Sequence, residues 1–346
     1  MSARVVLGIE SSCDETSAAL VRIDGGSLTV LGCTTASQDA LHAEYRGVVP
    51  ELASRAHLDC IIPVIRRTCE SAGLSLHQLN GVAAGHRPGL IGSLLVGLSA
   101  AKSLAWALDL PFVGVDHVHA HLVAGLLDQP CLEWPAIGLV ASGGHTSLFR
   151  MESPHELTLI GATIDDAVGE AFDKGAAILN LGYPGGSRLD ECAEAGDPTA
   201  IPLPFTRLAT LDFSFSGIKT ALRLAACSPE NAGRTGDLAC SFRRVLIAQL
   251  IRNISRALDE YPSASVLIGG GVAANRLLRR EAATLCADRG VILRIADPRW
   301  CTDNAAMIAA TGALRIARGE QDGPELAAHP LSALARGHRG KQERTK

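Results

Sequence analysis

Residues 5–21 read VVLGIESSCDETSAALV, and the fold turns on how that stretch is parsed. Val5-Val6-Leu7-Gly8-Ile9 is a buried-strand signal, Glu10 to Ser17 an acidic, hydroxyl-rich turn, and Ala18 to Val21 a return strand. The pattern recurs: Ala136 to Val140 is a strand, Ala141-Ser142-Gly143-Gly144-His145-Thr146-Ser147 a turn, and Leu148-Phe149 returns. A third strand, Ser265 to Ile268, runs through Gly269-Gly270-Gly271-Val272-Ala273-Ala274-Asn275 into a helix-forming stretch, Arg276 to Ala287. Two strand–turn–strand hairpins, one per half, plus a late glycine turn predict duplicated α/β lobes facing a cleft. Helices are expected over residues 51–69, 89–108, 166–179 and 237–261. The last carries Phe242, Val245, Leu246, Gln249/Leu250 and Ile254 near the helical period.

With 346 residues, the chain is long enough for two cores, and 47% hydrophobic against 20% charged residues describes a well-packed globular protein. A net charge of −4 supplies no global basic field, so nucleic acid would be gripped by local patches or through a partner. Ten cysteines without one C-x-x-C pair argue against a zinc ribbon or a disulfide framework and fit reduced thiols in a cytoplasmic protein. Met1-Ser2-Ala3-Arg4 lacks a signal peptide's apolar length, and Lys102 cuts the run from Leu90 well below the roughly 20 residues of a membrane span. The small residues of that run (Gly92, Ser93, Gly97, Ser99, Ala100, Ala101) suit close helix packing, inside a lobe or against a partner. A soluble protein is expected.

His117-Val118-His119-Ala120-His121 constrains the chemistry most tightly. On a helix, residues four apart share a face, so His117 and His121 can both offer an imidazole to one metal ion. Val118 stands where a zincin protease needs its glutamate base, so this is a metal clip without that base. The pair alone is equally consistent with a histidine-rich helix start making ordinary hydrogen bonds. Ser142-Gly143-Gly144 and Gly269-Gly270-Gly271 are turns where backbone N–H groups can approach phosphates, although no Walker A loop occurs. The first turn instead holds Glu10, Asp14 and Glu15, and so needs a cation or serves proton transfer. Asp165 and Asp166 suit the first turn of a helix; Asp173, further in beside Lys174, is not explained that way. After the turn Tyr183-Pro184-Gly185-Gly186, Asp190 is a candidate hydroxyl-binding carboxylate. Asp303 opens a late helix, either as its N-cap or as the carboxylate completing a two-histidine site.

These motifs together resemble, nearly end to end, the universal family of tRNA adenosine threonylcarbamoyltransferases, once misnamed O-sialoglycoprotein endopeptidases. The matching segments are Gly8 to Thr16, Gly47 to Arg55, the His117–His121 pair, Ser142 to Thr146, Asp165 to Lys174 and Tyr183 to Gly186. Phe213 to Thr220, Gly270 to Arg276 and Cys301 to Asn304 follow in order. His145, and Val140 in place of a tyrosine, resemble bacterial members. The resemblance implies the two-lobed fold of actin, sugar kinases and heat-shock chaperone ATPases, with duplicated lobes around a central cleft. It also implies transfer of a threonylcarbamoyl group from threonylcarbamoyl-adenylate to N6 of the adenosine just 3′ of the anticodon, in tRNAs reading codons that begin with A. Carried over, His117, His121 and Asp303 bind one divalent metal ion, Fe2+ in the best-known relatives. Val140, Ala141, Ser142, Gly143, Gly144, Asp173, Gly186, Asp190 and Asn275 hold the adenylate. Glu15 or Asp14, with Glu10 beside them, takes the amine's proton or acts electrostatically.

The implied division is lobe I at 1–132, completed by C-terminal helices at about 297–330, lobe II at 133–296, and a flexible basic tail at 331–346. The implied partners are tRNA, a paralogous dimer partner and a small P-loop ATPase, with no membrane. Arg87 replaces a glycine of a Gly-Pro-Gly-Leu pattern and Arg46 one of Tyr-Gly-Gly-Val-Val-Pro, either as phosphate contacts or as surface drift. Gly175, Ala177 and Ser187 also depart from the pattern, but none is a proposed ligand. Two other readings compete: a small-molecule kinase or ATPase of the same fold, whose Asp-x-Gly-x-[Ser/Thr] turn is absent, and a non-catalytic scaffold, whose paralogues lack the histidine pair.

Overall fold

The computed structural model describes residues 3–43, 45, 47–182 and 184–334. Arg46, Tyr183 and the basic tail from Gly337 lie outside the described residues. Two compact units emerge: one runs to Leu132 and adds Pro154–Glu156 and the residues from Thr302 on, the other takes Glu133–Ser153 and Leu157–Cys301. Residues 297–301, expected with the first lobe, thus group with the second. Cys301 Sγ reaches Ala296 O and Asp297 O, and the Arg279 guanidinium binds Ala296 O and Cys301 Sγ, which anchors that stretch.

The first unit is built on β1 (Arg4–Glu10), β2 (Glu15–Asp24) and β3 (Ser27–Ser37), an antiparallel meander. The short helix α1 (Asp39–Ala43) and the long helix α2 (Pro50–Ala72) follow. Then come β4 (Gly81–Arg87), α3 (Ile91–Ala107), β5 (Phe112–Asp116) and α4 (His117–Val123). The sheet order is β3-β2-β1-β4-β5, with β4 and β5 parallel to β1. Glu10 still pairs with Ser17, so the acidic turn is narrower than its sequence suggested and leaves only residues 11–14 unpaired. The period-2 alternation sorts β1 cleanly: Leu7 and Ile9 join Val82, Ala84, Ile61, Val64 and Leu98 in the core under α2 and α3.

Gly97 of α3 has Ser11 and Ile9 against its missing Cβ, and Gly92 has Ser54 of α2, so the small residues of α3 serve contacts inside this unit. Gly8 faces the opposite side, against the late helix α10 (Ala305–Ala317).

The second unit repeats the scheme. Its strands are β6 (Ala136–Ala141), β7 (Thr146–Ser153), β8 (Glu156–Ala162), β9 (Ser265–Gly269) and β10 (Ile292–Ile295). Their order, β8-β7-β6-β9-β10, reproduces that of the first sheet, with an antiparallel β6–β7 pair and β9 and β10 running parallel to β6. Helices α5 (Val168–Ile178), α6 (Gly185–Ala193), α7 (Ser216–Ala226), α8 (Thr235–Glu260) and α9 (Arg276–Arg289) complete it. All six positions that defined the apolar stripe of α8 are buried. Helix α5 starts two residues later than expected because Asp165 and Asp166 are spent on tertiary contacts. Asp165 accepts bonds from Ser214 Oγ at 2.6 Å, Phe215 N at 2.8 Å and Ser216 Oγ at 2.7 Å, while Asp166 pairs with Lys174 and Lys219.

A Cβ on Gly8 would run into Ala309 N and lie 2.6 Å from Ala305 O, both backbone atoms of α10. Gly8→Ala should therefore cost about 1–3 kcal/mol, the usual range for overpacking, and lower the urea midpoint. An unchanged midpoint would contradict this contact.

Candidate metal centre

Four parts of the first unit converge on one spot. Asp116 ends β5 and its Oδ1 accepts Val118 N at 3.0 Å, so the strand turns straight into α4. Helical spacing then brings His117 and His121 onto one face, with ring centroids 4.6 Å apart. Both imidazoles are buried, at 6% and 0% exposure. Asp303 arrives from the turn before α10. It is not the cap of that helix: Asn304 fills the role by accepting Met307 N at 3.1 Å, which leaves the Asp303 carboxylate to the histidines. Asp303 Oδ1 lies 3.3 Å from His117 Nε2 and 3.3 Å from His121 Nε2.

Glu10 supplies the other side. Expected among the reactive acids, it is 1% exposed and turned inward. Its Oε1 accepts Ser12 N at 2.6 Å and its Oε2 accepts His117 Nδ1 at 3.1 Å, with Ser12 Oγ 3.3 Å from the same nitrogen. A carboxylate on Nδ1–H fixes the tautomer and aims Nε2 at the Asp303 side, as ligating histidines are commonly held. Asp14 lies in the turn, where its carbonyl accepts Gln38 N at 3.1 Å, and Glu15 opens β2. The fully buried His57 braces this turn: Nε2 donates to Cys13 O at 3.1 Å and Nδ1 accepts from Thr16 Oγ1 at 2.8 Å. No local signal in the sequence marked Glu10 or His57 as supports, since their partners are remote in the chain.

Burial disfavours the charged forms throughout, and specific partners then separate the groups. Burial would lower His117, but the Asp303 and Glu10 charges outweigh it and hold its pKa well above the ordinary value. His121 is driven down by burial and kept neutral. Burial opposes ionisation of Asp303 too, yet His117 beside it keeps the carboxyl well below the usual range. Burial, then Asp303 and Asp14, push Glu15 up to about 9.

The donor set suits a divalent ion. The separation of 3.3 Å from Asp303 Oδ1 to each Nε2 matches the roughly 3.0–3.4 Å between donors about 2.1 Å from a common metal. The Asp303 approach to His121 lacks hydrogen-bond alignment, so neither ring nitrogen of this buried imidazole makes a hydrogen bond. An unsatisfied buried polar group is costly, and ligation would satisfy one of the two nitrogens. Two imidazoles and one carboxylate leave positions open for substrate oxygens.

The residues expected to hold an adenylate all lie in the second unit, partly gathered. Val140 and Ala141 end β6, and Ser142 closes the next turn by donating N–H to His145 O at 2.8 Å and accepting His145 N at 3.2 Å. No atom stands within 4 Å of where a Cβ on Gly143 or Gly144 would be. Asp173 of α5 accepts Gly186 N at 2.9 Å across the turn into α6. Asp190 Oδ1 accepts from Asn275 Nδ2 at 2.8 Å and Arg243 Nη1 at 2.9 Å, while Asn275 Oδ1 caps α9 through Leu278 N at 3.0 Å. Arg243, which the sequence reading missed, therefore anchors this group from the middle of α8.

The family model described as "TsaD: tRNA N6-adenosine threonylcarbamoyltransferase" matches residues 29–310. A relative of that name from Symbiobacterium thermophilum is 48% identical over 315 residues, covering 90% of this chain and 92% of the relative. Relatives of the same name from Trichlorobacter lovleyi and Geobacter sulfurreducens are each 46% identical, covering 96% and 97% of this chain and 98% and 100% of their own length. Among solved structures, HypF of T. kodakarensis superposes with a TM-score of 0.61 at 14% identity, over 91% of this chain and 48% of that one. Component A of the Acidaminococcus fermentans (R)-2-hydroxyglutaryl-CoA dehydratase gives 0.51 at 13% identity, over 92% and 100%. These structures share the fold alone, and they bear out the expected duplicated α/β architecture.

In the metal-free protein His117 is the one imidazole of the pair that carries a positive charge at neutral pH. Its contribution to apo stability is complete below about pH 6.5 and fades as pH rises through its higher folded value. Metal binding at Nε2 must displace that proton. Calorimetric Co2+ titrations near pH 7 in buffers of unlike ionisation enthalpy should show about one proton released per ion. None would mean a neutral His117; a second proton would come from Glu15, which burial and then Asp303 push up to about 9, or from His121.

Proposed function

Because the chain belongs to the tRNA N6-adenosine threonylcarbamoyltransferase family, we infer that it moves a threonylcarbamoyl group from threonylcarbamoyl-adenylate to N6 of the adenosine 3′-adjacent to the anticodon, in tRNAs reading ANN codons. The observation that carries this is similarity of 46% along essentially the whole length of relatives bearing that name. The protein is an acyltransferase with tRNA as its substrate. The kinase and scaffold readings find no support among these relatives.

In this reading His117, His121 and Asp303 hold a divalent ion, proposed to be Fe2+, which would supply a Lewis acid for the carbamoyl carbonyl and the phosphate oxygens. Glu10 keeps His117 in the ligating tautomer. The exocyclic amine is weakly basic and must lose a proton during attack. Glu15 or Asp14 is proposed to take that proton or to act electrostatically; in the metal-free site burial and the Asp303 charge push Glu15 up to about 9, and an ion on Asp303 would offset the second of these. Val140 to Gly144, Asp173, Gly186, Asp190 and Asn275 are proposed to hold the adenylate, with the open Gly143-Gly144 backbone offered to its phosphate.

The proposed dimer partner is a paralogue, and a small P-loop ATPase joins the complex. Apolar side chains exposed on α2 (Leu58 63%, Ile62 54%) and α3 (Leu95 48%, Trp106 87%) support a docking face. Ten free thiols, and no helix among the described residues long and apolar enough to cross a membrane, support the cytoplasm as the compartment. Arg252, with its guanidinium 5.7 Å over the Phe205 ring, pairs with no carboxylate among the described residues, and its charged neighbours are Arg256 and Arg207. That cluster is a candidate grip for tRNA phosphates on a chain with net charge −4.

Nucleoside mass spectrometry of tRNA from a depleted strain should show loss of N6-threonylcarbamoyladenosine, restored by wild type but not by His117→Ala/His121→Ala. Unchanged modification in the depleted strain refutes the function, and rescue by the double variant refutes the role of the histidines. Arg207→Ala/Arg252→Ala should raise the KM for tRNA with kcat kept and flatten the salt dependence of binding by up to about two phosphate contacts. A wild-type KM and slope would remove the cluster from the tRNA surface.

A further inference from the structure

After α10 the chain crosses back over β5, one of the two edge strands of the first sheet. Asp322 N donates to Phe112 O at 2.7 Å, and Gly114 N donates to Asp322 Oδ2 at 2.8 Å. Further along, Lys102 Nζ holds Pro324 O at 2.7 Å, Leu326 sits against Gly114, and His329 N donates to His86 O at 2.9 Å. The segment ends on the junction that feeds the metal centre: Ser332 Oγ donates to Asp116 Oδ2 at 2.7 Å and Ala333 N to the same oxygen at 3.3 Å. Ser332, placed in a loose tail by the sequence reading, is 3% exposed.

Asp116 is thus shared. Oδ1 caps α4, while Oδ2 takes the strap and stands 3.3 Å from Arg87 Nε. Helix α4 has seven residues, too few to be stable alone, so its start depends on what fixes Asp116. The strap and β5 both wall a cavity of about 340 Å³, also lined by His86, Arg87, His119 and Arg315. At its end the strap meets Asp116 through the two hydrogen bonds from Ser332 and Ala333.

We propose that Ser332, with Arg87, is a positioning residue for the metal centre: by fixing the Asp116 carboxylate it sets the first turn of α4 and so the aim of His117 and His121. This also gives Arg87 a task, as the cation that completes the Asp116 junction. The inference rests on the reading of His117, His121 and Asp303 as metal ligands.

The test uses the full chain, stripped of metal and titrated with Co2+, reading affinity by chelator competition and the visible ligand-field band. Ser332→Ala should bind Co2+ several-fold more weakly, less than the roughly tenfold or greater loss when a direct partner of a ligand is removed, because Ser332 acts one contact further out, and its band should shift. Ser332→Thr, which keeps the hydroxyl, should restore both. Wild-type affinity and band in Ser332→Ala overturn the proposal, even if its melting temperature falls, because the strap is then only structural. Absence of Co2+ binding by the wild type overturns the metal-site reading and this inference with it.

Discussion

Glu10 is a carboxylate almost wholly removed from water at the end of β1, and such a charge survives only where partners replace its hydration. Ser12 N and His117 Nδ1 do so, one from its own turn and one from more than a hundred residues away. Space matters as much as charge. A Cβ on Gly85 would sit 3.0 Å from Glu10 Oε2, so β4 offers glycine where the carboxylate lies alongside. The bond to His117 ties the end of β1 to the start of α4, and the orientation of His117 Nε2 toward Asp303 follows from it.

Short polar side chains at helix starts divide their atoms between local and site duties. Asn304 takes the cap of α10, and Asp303, one residue earlier, is released to face two imidazoles. Asn275 caps α9 with its oxygen and gives its amide to Asp190. Asp116 caps α4 with one oxygen and anchors the C-terminal strap with the other. Each arrangement satisfies a backbone donor that the helix leaves unpaired and still leaves a carboxylate placed for a contact remote in the chain.

The two units keep one strand order while their first turns have diverged in charge. In the first, the turn is braced by His57 and carries carboxylates around a cation-seeking set of donors. In the second, the turn after β6 is glycine with free space where side chains would be, and Gly270, at φ 94°, lies so close to Ala141 O that a Cβ would come within 2.5 Å. One strand order therefore carries two turns of unlike charge and bulk after its first strand.

Hydrophobic period and composition determined much of this protein by themselves. The apolar runs at Val5, Ala136 and Ser265 are strands because both faces of each are covered, and the stripe from Phe242 to Ile254 is a buried helix face. The spacing of His117 and His121 fixed their common face, since four residues make about one helical turn. Strand β3 was not legible, because its polar, half-exposed residues carry no apolar run. Only the tertiary structure decided that Glu10 is a support, that Asp303 is not a cap, that Arg243 anchors Asp190, and that Ser332 reaches Asp116. Those four assignments depend on partners 53 to 216 residues apart or on a neighbour taking the competing role, and no local pattern encodes a distance closed by folding.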